Sequence, residues 1–168
     1  MPQTCDITHG HEINLIIDGD VWQKQSLDYS QLVMSIIEIV LKKELISEYV
    51  EVNVRLTDDA TVQRLNKDFR GQDKPTNVLS FSADIEDEFN IFFADELCQL
   101  GDIALAYETI EREAETQKKL FRDHFIHLLI HGMLHLLGFD HITDEEAEEM
   151  EALEIEILDV LGIANPYQ

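Results

Sequence analysis

A chain of 168 residues, 45% of them hydrophobic, is long enough for one domain with its own core and too apolar for a disordered chain. No apolar run spans a membrane, because charge or histidine breaks each one. The formal charge of −23, from 12 Lys and Arg against 35 Asp and Glu, speaks by itself against a nucleic-acid partner.

The N-terminus, Met1-Pro2-Gln3-Thr4-Cys5-Asp6, carries neither a basic nor an apolar region, so no export signal is expected. Cys5 and Cys98 are the only cysteines and form no Cys-x-x-Cys pair. A reduced, cytoplasmic protein is the simplest expectation. The first predicted strand is Ile13–Asp18, stopped by Gly19. Apolar residues at helical spacing, Leu32, Ile36, Ile39 and Val40 among them, predict a helix over Tyr29–Leu45. Val50–Leu56 alternates as a strand does, and Thr57 or Asp58 then caps a short helix to about Phe69. Arg70-Gly71-Gln72-Asp73-Lys74-Pro75 is turn chemistry, followed by a strand at Asn77–Phe81.

Ser82–Leu100 reads as a long, acid-rich connection or flap with exposed apolar residues at Ile91, Phe92 and Phe93. Gly101–Ala106 is the next predicted strand. Tyr107–Leu137 is helical in composition but too long for one average helix, so a break is placed near Gln117–Phe121. Gly138 ends the second of these helices, and a last amphipathic helix runs from Asp144 to about Leu161. Strands early and helices late predict an α+β class: one domain over residues 1–168, with a small mixed sheet and about five helices.

Charge is unevenly placed. Acids crowd between Asp144 and Asp159 with no base among them, whereas Arg64, Lys67, Arg70 and Lys74 outnumber Asp68 and Asp73. An anionic partner is expected to meet the second stretch; the plain alternative is a set of ordinary solvated bases.

The chemistry is concentrated in His131-Gly-Met-Leu-His135-Leu-Leu-Gly138-Phe-Asp140-His141. Four residues turn a helix through about 400°, so the rings of His131 and His135 lie one turn apart on nearly one face. Gly138 permits a turn that brings His141 back to the same ion. Three neutral imidazoles suit one zinc ion with an open fourth position for water, although copper or nickel would bind too. Such an ion acidifies water and makes a nucleophile for hydrolysis. The same histidine and glycine spacing occurs in metzincin proteases, which carry a Glu general base directly after the first His. Here that position is Gly132, which weighs against a peptidase. His127 precedes His131 by four and is a candidate for substrate contact or for supporting a ligand from behind, the plain alternative being an ordinary helix residue. His124 reads as structural or exposed, and Asp140 either orients a ligand imidazole or shapes the turn.

The histidine stretch resembles the signature of the YbeY family of ribosomal RNA maturation factors, metal-dependent endoribonucleases of bacteria. A second match runs Leu65-Asn66-Lys67-Asp68-Phe69-Arg70-Gly71-Gln72-Asp73-Lys74-Pro75-Thr76-Asn77-Val78-Leu79-Ser80-Phe81. Gly101-Asp102-Ile103 and the acidic Asp144–Glu156 stretch also resemble the family. The resemblance implies a distantly zincin-like core with zinc on His131, His135 and His141. It implies cleavage of single-stranded RNA, in maturation of the 3′ end of 16S ribosomal RNA and in ribosome quality control. The family's functional arginine falls on Arg70, which makes Arg70 and His131 the expected catalytic residues. Lys67, Lys74 and His127 are expected to meet substrate, and ribosomal or assembly proteins are further expected partners. Gln72, Phe139 and Ser82 stand where lysine, tyrosine and proline are common. Two rivals stay open at this point: a metallohydrolase of another substrate, and a non-catalytic ribosome-assembly factor whose zinc is structural.

Overall fold

Along Val50–Thr57 the side chains alternate between buried and more exposed positions, as a strand with one face on a core must. That strand is the centre of a five-stranded sheet in a computed structural model that describes residues 3–4, 11–46, 49–83 and 98–168. The strands are β1 (Gln3–Thr4), β2 (Glu12–Ile17), β3 (Val50–Thr57), β4 (Val78–Ser82) and β5 (Cys98–Ala106). They lie in the order β1-β2-β3-β5-β4. β2, β3 and β5 are parallel, whereas β1 and β4 run antiparallel at the two edges. The helices are α1 (Tyr29–Lys43), α2 (Asp59–Arg70), α3 (Tyr107–Thr116), α4 (Phe121–Leu136) and α5 (Asp144–Val160). Among the described residues, a mixed sheet with five α-helices is the α+β architecture that the sequence pattern predicts.

The main core lies between the sheet and helices α1 and α4. α4 is buried nearly all round: Phe125, Ile126, Leu129, Ile130, Met133 and Leu134 have no accessible surface. Burial on that scale, at roughly 1.5–3 kcal/mol per large side chain, fixes α4 against the sheet. Trp22 packs edge-on against Tyr29, Tyr107, Phe121 and Phe125 at one end of this core. Its indole N–H donates to the Thr57 carbonyl at 3.1 Å, so the polar tip is not stranded. α2 covers the other face of the sheet at its β4–β5 end, where its Val62 packs with Leu79, Ala104 and Ala106. The edge strand β4 is therefore held between α2 and α4, the two helices that carry the expected site residues.

The break in the long helical stretch falls where it is expected. Lys118 adopts φ 54°, and the Lys119 N–H reaches back to the Ala114 carbonyl at 2.9 Å, closing α3. The expectation for Ser82–Leu100 needs correcting at both ends. Ser82 belongs to β4, and β5 begins at Cys98, three residues before the predicted Gly101. Gly101 is not a strand start but follows directly on a bulge within the strand: the pairing with β3 shifts between Glu51 and Val52, and Leu100 is the extra residue. A Cβ there would lie 2.1 Å from the Phe81 carbonyl oxygen, so only glycine fits. Residues 84–97, including Ile91, Phe92 and Phe93, lie outside the described residues.

Candidate metal centre and active-site groove

α4 delivers two histidines and its C-terminal turn delivers the third. The Phe139 N–H bonds the Leu134 carbonyl at 3.0 Å and the Gly138 N–H bonds the His135 carbonyl at 3.1 Å, a Schellman closure. Gly138 takes φ 99°, and a Cβ on it would meet nothing within 4 Å. Conformation, not space, calls for glycine there. The chain then doubles back, Asp140 accepts the His141 N–H at 2.8 Å, and the His141 ring comes to 5.0 Å from His135 and 5.7 Å from His131. Asp140 thus shapes the turn. Among the described residues, His131, His135 and His141 are the group whose donor atoms all lie within 4.8 Å of one another.

The hydrogen bonds of the rings decide what they offer. His135 Nδ1 faces the Phe139 carbonyl at 3.0 Å, and a carbonyl can only accept, so Nδ1 carries the proton. His131 Nδ1 faces a Glu154 carboxylate oxygen at 2.5 Å, with the same consequence. In the neutral rings both Nε2 atoms are then bare lone pairs, 3.0 Å apart. Two lone pairs that close repel unless a cation lies between them, and three imidazole nitrogens are a zinc donor set. The residues therefore fit a metal ion. Burial, with the neighbouring rings, holds the His135 imidazole below its ordinary pKa, which favours the neutral, ligating form.

The histidines open onto a groove of about 710 Å³ along β4, lined also by Arg70, Lys74 and Ser80. Arg70 is the last residue of α2, which Gly71 closes at φ 69°. Its guanidinium donates to the Ser80 carbonyl at 2.5 Å and sits 5.3 Å from the Phe81 ring centre. Ser80 in turn donates its hydroxyl to the Gly132 carbonyl at 3.0 Å, so one residue of β4 joins the arginine to the histidine helix. Gly132 faces the sheet: a Cβ there would lie 3.1 Å from both Ile103 and the Ser80 hydroxyl. Any side chain at that position would have to push both neighbours aside. The turn bearing Lys74 is tied to α2 by buried Asn66, whose amide donates to the Lys74 carbonyl at 2.8 Å. Among the described residues, Asp140 is the one acid lining the groove, against two cations, Arg70 and Lys74.

Two expected substrate residues do not line this groove. Lys67 turns to Asp73, 3.6 Å away, and its bridge braces the turn rather than facing the histidines. His127 lies one helical turn before His131, where α5 and the C-terminal residues cover α4, and its Nε2 donates to Glu154 at 3.1 Å. His124 is structural: it is buried and bonds Glu113 at 2.7 Å, and Glu113 also accepts from Asn77.

Glu154 is the residue that sequence reasoning missed. It has no accessible surface, and its carboxylate takes His131, His127 and the Tyr167 hydroxyl. Burial pushes its pKa up, but the hydrogen bonds from His127, His131 and Tyr167 outweigh burial and bring it down to about 2. A signal was present: Met150, Glu154, Ile157 and Leu158 share the apolar stripe of α5.

The family model described as endoribonuclease YbeY matches residues 18–162. The endoribonuclease YbeY of Paramagnetospirillum magneticum is 56% identical over 118 residues, 70% of this chain and 71% of that protein. That of Bradyrhizobium diazoefficiens is 47% identical over 156 residues, 91% of this chain and 83% of that protein. The solution structure of TM1509 from Thermotoga maritima superposes with a TM-score of 0.53 at 28% identity, over 88% of this chain and 91% of that one. The chain belongs to the endoribonuclease YbeY family.

Proposed function

We propose that this protein, acting as one domain over residues 1–168, is a zinc-dependent endoribonuclease specific for single-stranded RNA. The observation that carries the reading is the meeting of three imidazole donors with Arg70 in one groove. The relatives' printed activity supports it. His131, His135 and His141 would hold one zinc ion, which when bound supplies a Lewis acid and lowers the pKa of water. Arg70 places a planar fork of donors where charge grows on the phosphoryl oxygens. Lys74 holds a flanking phosphate and fixes register without reading sequence. Lys67 and His127 act behind the groove, not on substrate. By family likeness, the substrate is the 3′ end of 16S ribosomal RNA, cut in the cytoplasm during maturation and quality control of ribosomes, with ribosomal or assembly proteins as partners.

The test is cleavage of single-stranded RNA by purified protein. A chelator abolishes cleavage and added zinc restores it. His135→Ala loses both metal and activity, whereas Arg70→Ala keeps the metal and loses activity. Equal residual cleavage in the wild type, the chelated protein and both variants would mean a contaminating nuclease and would sink the proposal.

A further inference from the structure

We infer that Glu154 is the positioning residue of the metal centre, fixing His131 as its Nδ1–H tautomer, and that Tyr167 holds Glu154 in the orientation this requires. The inference rests on the three histidines being ligands and extends the centre to α5 and to the C-terminal segment.

A carboxylate with no accessible surface is costly in an apolar stripe unless each oxygen is satisfied. Here the oxygens have separate tasks. One accepts from both His127 and the Tyr167 hydroxyl, and the other accepts from His131 alone, at 2.5 Å. The two donors on the first oxygen stop the carboxylate from rotating, and so the second oxygen stays aimed at His131. A ligand imidazole whose far nitrogen donates to a carboxylate is locked in orientation and is a more basic ligand. His135 has only a neutral carbonyl for that purpose, so His131 is the ligand with a charged partner. Tyr167 lies beyond α5, its own N–H held by the Asn165 side chain at 2.8 Å. A residue near the chain end thereby reaches the metal centre through one buried acid.

Two readouts test this: the ring ¹⁵N shifts of His131 in metal-free protein, which report its tautomer, and zinc affinity by competition with a chromophoric chelator. Glu154→Leu removes the acceptor, so His131 becomes a tautomer mixture and zinc binds about 10–100-fold more weakly. Glu154→Gln retains an accepting oxygen and restores part of both. Tyr167→Phe changes a half-exposed side chain, and shifts both readouts in the same direction by less. Unchanged shifts and affinity in Glu154→Leu overturn the inference. If that variant does not fold, unchanged readouts in Tyr167→Phe overturn it instead. A wild type that binds no zinc but shows the Nδ1–H tautomer, lost in Glu154→Leu, removes the metal reading and keeps the positioning one.

Discussion

Arg70 is held at two points, by the Ser80 carbonyl and over the Phe81 ring, before any substrate arrives. A group fixed in advance stabilises developing charge without reorganising at the moment of reaction. Arg70→Lys keeps a cation but loses the planar fork and the ring stacking. Its kcat should fall by about 10²-fold while zinc content stays the same, as single-turnover cleavage and metal analysis would show. A lysine variant within a factor of a few of wild type would mean that charge alone suffices. The three histidines were legible in sequence because helical spacing and a glycine turn encode their convergence directly. Glu154 was not, because a run of acids reads as a solvated face, and its one buried member is distinguished only by its phase with Met150, Ile157 and Leu158. That Lys67 and His127 lie off the groove was hidden for a related reason. Nearness in sequence to the site does not say which side of a helix a neighbouring element covers.

Elements show the same division. Strand β3, helix α2 with its Asp58 cap, and the α3–α4 break follow from alternation, capping and helix-ending chemistry close at hand in sequence. Gly101 misled because a glycine opening an apolar run looks like a boundary, whereas its reason is the Phe81 carbonyl on a neighbouring strand. That contact is non-local, and no local pattern contains it. Gly101→Ala must shift β4 away from β5 or distort a residue at φ 139°. Strain and overpacking together should cost about 3 kcal/mol. In thermal denaturation the midpoint should then drop by roughly 6–12 °C. Because β4 carries Ser80, the anchor of Arg70, catalytic activity should fall even at temperatures where the variant is folded. A variant that is destabilised yet fully active would show that the β4 edge does not position the arginine.

For the molecule as a whole the question is how a chain of charge −23 receives a polyanion. The groove resolves it locally. Among the described residues Arg70 and Lys74 line it with Asp140 as the sole acid, and none of the exposed acids of α5 does. Charges on the far surface are screened beyond about 8 Å at physiological ionic strength, so the few cations near the histidines dominate what a strand feels on docking. Few phosphate contacts also mean a shallow salt dependence. At about −0.7 per phosphate for a single strand, two contacts give a log–log slope near −1.4. Measured by fluorescence anisotropy with chelator present to prevent cleavage, Lys74→Ala should halve that slope. Lys67→Ala should leave it unchanged, because Lys67 is engaged with Asp73 away from the groove. If the two variants flatten the slope equally, the RNA path runs over the outer face of α2 as well. The acidic body would then be avoided along a longer basic track than the groove alone provides.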